Sequence, residues 1–80
     1  MKKVGKVTHY YDLKKAAIVE LEGALKTGDM IKFQGHGVDF EQPAESIQIN
    51  REKVEKAGKG ETVGIEVVQE VKEGTEVFKV

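Results

Sequence analysis

Short runs of alternating, β-branched residues, cut apart by glycine, constrain this chain more than any other feature. Val63, Ile65 and Val67 fall on one side of a period-two pattern, with Gly64 and Glu66 on the other. Ile47 and Ile49 alternate in the same way with Ser46, Gln48 and Asn50. Alternation over four to eight residues is the periodicity of a strand, whose side chains point to opposite faces in turn. It predicts strands over 4–10, 16–21, 30–33, 40–49, 62–68 and 76–80. Pro43 inside the fourth run fits an edge, bulge or bend, since it has no N–H for a central ladder. The best competing helix is Asn50 to Gly58, with Asn50 as its cap and Gly58 as its stop. Only Val54 and Ala57 are apolar there, so the segment reads as a loop with room for one helical turn.

One seven-residue device occurs three times. Leu25-Lys26-Thr27-Gly28-Asp29-Met30-Ile31 has an apolar residue, a glycine three later and an aliphatic six later. Ala57 to Val63, with Gly60, and Val71 to Val77, with Gly74, keep the same spacing. Glycine supplies the positive φ such a turn needs, and the flanking aliphatics anchor both strand ends in a core. The device predicts chain reversals at the ends of core strands.

With 80 residues and no cysteine, the chain is a single domain spanning 1–80 that no disulfide or thiolate-bound zinc can staple. A chain this short hides only about 60% of its unfolded surface, so apolar packing and a satisfied backbone must hold it. About six short strands joined by turns then predict an all-β barrel or sandwich, closure being the way to remove exposed strand edges. Thirteen basic and fourteen acidic side chains leave a net charge of -1, without the basic excess of many autonomous nucleic-acid binders. No apolar run approaches the ~20 residues of a membrane helix or follows the N-terminus as a signal peptide would. The expectation is a soluble, cytoplasmic protein. Its many lysines and glutamates against a single asparagine, Asn50, lean towards a heat-adapted source.

A search for chemistry finds little. Ser46 is the one serine, with no nucleophile elbow around it, and a Ser46–His36–Asp39 triad is available only on paper. His9 and His36 are 27 residues apart and show no metal-ligand spacing. Gly35-His36-Gly37 reads as a turn, and no P-loop is present, so the chain by itself hydrolyses no nucleotide. No catalytic residue, metal ligand or cofactor is expected. What remains is a local basic and aromatic mixture, with Lys2, Lys3, Lys6, Lys14 and Lys15 near Tyr10 and Tyr11, suited to phosphates and a stacked base. The plainer reading is a solvated, lysine-rich edge.

The order of the motifs adds a resemblance. The series Val19-Glu20-Leu21-Glu22-Gly23-Ala24-Leu25-Lys26-Thr27-Gly28-Asp29-Met30-Ile31, then Glu45-Ser46-Ile47-Gln48-Ile49, then Ala57-Gly58-Lys59-Gly60-Glu61-Thr62-Val63-Gly64-Ile65, and finally Lys72-Glu73-Gly74-Thr75-Glu76-Val77 resembles the second domain of translational GTPases such as elongation factor Tu. The chain is also similar to the small C-terminal barrel of collagenase-like peptidases. The resemblance implies a closed six-stranded Greek-key β-barrel with a binding role. It implies that Gln48 and Arg51 occupy RNA-contacting positions, Gln48 standing where that family has an acid, with Lys14 and Lys15 as an electrostatic supplement. The expected function is a non-catalytic, translation-factor-like module that contacts tRNA, ribosomal RNA or a protein partner. The alternative is a separately encoded accessory barrel that binds substrate or protein for an enzyme such as a collagenase-like peptidase.

Overall fold

The computed structural model describes residues 2–80 and contains strands and turns without a helix. No helix among the described residues is therefore long and apolar enough to cross a membrane. Ten strands follow one another: β1 (Lys2–Tyr11), β2 (Ala16–Leu21), β3 (Leu25–Lys26), β4 (Met30–Gly35), β5 (Val38–Pro43), β6 (Ile47–Ile49), β7 (Glu52–Val54), β8 (Lys56–Ala57), β9 (Thr62–Glu66) and β10 (Glu76–Lys79). Eight form one antiparallel sheet in the order β5-β4-β10-β1-β2-β9-β6-β7, and β3 pairs with β8 in a small ladder beside it.

All six expected strands are present, but the fourth is divided. Residues 40–49 were expected as one run; instead β5 ends at Pro43, and β6 begins at Ile47. The division has a topological consequence, because β5 pairs with β4 at one end of the sheet while β6 pairs with β9 near the other. A single stretch of chain thus serves both ends. Pro43 sits at the break, as a residue without a ladder N–H should. No ladder joins β5 to β9. A side chain does so instead: Gln42 is buried, its Nε2 donates to the Glu66 carbonyl at 2.7 Å, and its Oε1 accepts from Val68 N at 2.9 Å.

The segment from Asn50 to Gly58 is neither loop nor helix. Ile49 pairs with Glu52 across the two-residue turn Asn50-Arg51, and both turn residues have positive φ, 52° and 68°. That is the signature of the tight hairpin whose twist matches the flanking strands. Asn50 tolerates the left-handed region through its short polar side chain, so it makes a hairpin turn here and no helix cap. Gly35-His36-Gly37 forms the expected turn between β4 and β5, with φ of 54° at His36 and 83° at Gly37.

The three seven-residue devices are one structure built three times. In each, the glycine has φ near +90° (Gly28 97°, Gly60 89°, Gly74 91°). The residue after it returns a backbone bond three residues back: Asp29 N to Lys26 O (3.1 Å), Glu61 N to Gly58 O (3.1 Å) and Thr75 N to Lys72 O (3.0 Å). Its side chain accepts the reciprocal bond, from Lys26 N to Asp29 Oδ2, Gly58 N to Glu61 Oε1 and Lys72 N to Thr75 Oγ1, at 3.0–3.3 Å. Each turn also exchanges two backbone bonds with one buried residue of a neighbouring segment. Gly28 and Asp29 clasp Ala44 (3.0 and 2.8 Å), Gly60 and Glu61 clasp Leu21 (2.9 and 2.9 Å), and Gly74 and Thr75 clasp Val7 (2.8 and 2.8 Å). The anchors Leu25, Ile31, Ala57, Val63, Val71 and Val77 are all buried. Positive φ at the third turn position is what glycine permits at no steric cost.

The core gathers the inward residues of every long strand, among them Val7, Val19, Leu21, Ile31, Phe33, Ile47, Val63, Ile65 and Val77. Phe40 stacks on Phe33 with ring centroids 5.1 Å apart. Two register shifts bend β1, one between Lys3 and Gly5 and one between Val7 and His9, so that its ten residues curve between β10 and β2. At the first, a Cβ on Gly5 would come within 2.7 Å of Val19 Cγ1 and 2.8 Å of Glu20 O. Only glycine lets β1 approach β2 so closely.

Candidate binding groove

Because Val63, Ile65 and Ile47 point inward, alternation sends Gly64 and Gln48 to the outer face of the sheet. The register sets Ile18, Gly64 and Gln48 in one row across β2, β9 and β6. Gly64 contributes no side chain to the middle of that row, and a groove of about 650 Å³ runs over it. Ala16, Ile18 and Gly64 line its base strands. The end of β1 supplies Tyr11 and the β1–β2 connection Lys14 from one side, while Ser46, Gln48, Asn50 and Arg51 come from β6 and the segments flanking it. Glu66 is the one acid of the lining.

Two local devices position the walls. The tight Asn50-Arg51 turn ends the β6–β7 hairpin and brings Arg51 to the groove. Tyr11 is held edge-on by His9, with ring centroids 4.5 Å apart at 69°, and His9 Nδ1 lies 3.7 Å from Glu73 Oε2. Tyr11 itself is 48% exposed. The groove therefore combines two cations, one carboxylate, amide and hydroxyl groups and an accessible ring over an apolar strip. Such a set offers polar and charged contacts around an apolar strip.

Three of the four residues singled out from the sequence, Lys14, Gln48 and Arg51, line this groove together. Lys15 does not. It takes the left-handed region (φ 50°) at the end of the β1–β2 turn, where its N–H bonds Asp12 O at 3.3 Å and its carbonyl accepts from Val67 N at 2.9 Å. The paper triad is dispersed. The ring of His36 lies against Gly74, Asp39 Oδ1 is 3.5 Å from Lys32 Nζ, and Ser46, in the link between β5 and β6 and outside any strand, lines the groove. No three His, Asp or Glu side chains among the described residues converge as metal ligands would. Sequence reasoning overlooked Gln42 and the place of Gly64, although a glycine inside an otherwise aliphatic strand is a recognised sign of close approach by a ligand or backbone.

No family model matches the chain. Its sequence is 38% identical over 76 residues to an uncharacterised protease of Methanocaldococcus jannaschii, covering 94% of this chain and 19% of that protein. The chain thus spans about a fifth of the length of this curated relative. Among solved structures it resembles the C-terminal domain of a Geobacillus thermoleovorans protein assigned to the U32 peptidases, with a TM-score of 0.92, 21% identity and coverage of 99% of this chain and 92% of that one. The selenomethionine variant of the same domain gives a TM-score of 0.94 at 21% identity, covering 99% of this chain and 100% of that one. The fold is that of a U32 peptidase C-terminal domain. Of the two resemblances carried by the motifs, these matches support the collagenase-like peptidase barrel. The likeness to elongation factor Tu, and the RNA contact inferred through it, gain no support from them.

Proposed function

We propose that this chain is a non-catalytic binding domain of the U32, collagenase-like peptidase type, which holds substrate or a protein partner in the groove over Gly64 for a catalytic region outside these residues. The observation that carries the reading is the match of nearly the whole chain to one fifth of a protease. The fold likeness to a peptidase's C-terminal domain supports it, as does a groove furnished for recognition. The reading includes a cytoplasmic setting. It also includes a closed barrel of six strands, in which the run 38–49 completes the ring by pairing with β4 through its first half and β9 through its second. β7 is then an appendage to that ring, and its tight turn from β6 carries Arg51 to the groove.

The test uses the M. jannaschii protein in three forms: whole, lacking the matching fifth, and with this chain in its place. Casein hydrolysis is followed for each. Deletion should raise KM several-fold with a smaller change in kcat, and this chain should restore it, because a remote binding domain contributes mainly uniform binding. Identical kinetics with and without the domain would sink the reading. So would tRNA or ribosomal RNA binding that depends on the domain while hydrolysis does not, which would return the translation-factor-like account.

A further inference from the structure

A second depression, of about 540 Å³, lies on another part of the surface, where β3 pairs with β8. Ala24, Ala57 and Gly58 put nothing larger than a methyl group into it, and Leu25 is turned into the core. Lys26 and Lys56, both exposed, are direct partners in the β3–β8 ladder. Residues directly opposite in an antiparallel pair share a face, and like charges so placed repel. Two carboxylates, Asp29 and Glu61, also line the depression, and each is engaged by other donors. Asp29 Oδ2 takes the Lys26 backbone N–H at 3.0 Å and the Lys79 ammonium at 3.3 Å, and Glu61 Oε1 accepts from Gly58 N at 3.2 Å. Neither Lys26 nor Lys56 forms a side-chain ion pair among the described residues.

A lysine pair set against itself over an unfilled depression is a charge arrangement that an incoming anion would complete. The lining holds no aromatic ring on which a base could stack and no arginine to grip a phosphate in two places, whereas the lysine stems and alanines give apolar walls. We propose that this depression binds an acidic peptide segment, a carboxylate lying between Lys26 and Lys56 and a neighbouring aliphatic side chain resting over Ala24 and Gly58. The site is separate from the groove over Gly64 and does not depend on the peptidase-related reading.

The experiment is a titration of the isotope-labelled chain, followed by amide chemical shifts, with an acetylated, amidated Leu-Glu-Leu-Glu peptide. Its glutamine analogue, inorganic phosphate and a short single-stranded RNA serve as comparisons. The acidic peptide should shift residues 24–29 and 56–61, and Lys26→Gln with Lys56→Gln should weaken it about tenfold, the loss expected for charge-assisted contacts. Lys56→Glu gives an independent readout. It should abolish binding while raising the melting temperature by about 1–5 °C, since it turns a repulsive pair into an attractive one. Equal shifts from the glutamine analogue, shifts centred on the groove over Gly64, or a stronger response to phosphate or RNA would each overturn the proposal.

Discussion

Asp29 shows how much one side chain does in a domain this small. Its carboxylate caps the first turn through Lys26 N and pairs with Lys79 at 3.3 Å while only 13% exposed. Burial alone would raise its pKa, but the bond from Lys26 N, the bond and charge of Lys79 and the charge of Lys26 outweigh it and hold the pKa below the ordinary value of 3.8. A carboxylate with a depressed pKa stabilises the fold above its unfolded pKa, and that contribution is lost as pH falls through the folded one. Stability should therefore decline on acidification below about pH 4. Asp29→Asn should cost about 1–2 kcal/mol at neutral pH and flatten the acid limb, read by urea denaturation at several pH values. Gly-Asp in this turn was legible from the sequence as a reversal. The pairing with Lys79 was not, because it joins residues fifty positions apart.

Among the elements, the three turns were the most legible part of the chain, since glycine and its two anchors leave a fixed spacing in the sequence. Their clasp on Ala44, Leu21 and Val7 was invisible there, as it depends on which strands become neighbours. The three glycines give a graded test. A Cβ at Gly28 or Gly60 meets nothing within 4 Å, whereas at Gly74 it would approach His36 Nε2 to 2.7 Å. Gly28→Ala and Gly60→Ala should each cost about 1–2 kcal/mol for the left-handed backbone alone. Gly74→Ala should cost more, and His36→Ala in the same chain should recover the excess, as thermal or urea unfolding will show. The Asn50–Gly58 segment misled for an opposite reason: Asn50 suits a helix cap and a left-handed turn equally, and pairing with β6 decides between them. The fourth strand likewise carried its signal in Pro43, but only the sheet shows that its two halves serve opposite ends.

At the scale of the whole molecule, the all-β class followed from periodicity, while the short strands β3, β7 and β8 and the groove required the fold. Lys14 and Arg51 are 37 positions apart and meet only because β2, β9 and β6 lie side by side. Gly64 is the position on which the functional account turns. Its φ is unremarkable for a strand, and an added Cβ would make only an ordinary 3.6 Å contact with Ile18 Cδ1. A larger side chain can thus fill the groove while the core beneath it stays intact. The decisive measurement is casein hydrolysis by the M. jannaschii protease carrying this chain with Gly64→Tyr, once circular dichroism has shown the domain folded. The account predicts a KM raised to that of the protease without the domain, with kcat little changed. An unchanged KM would contradict it.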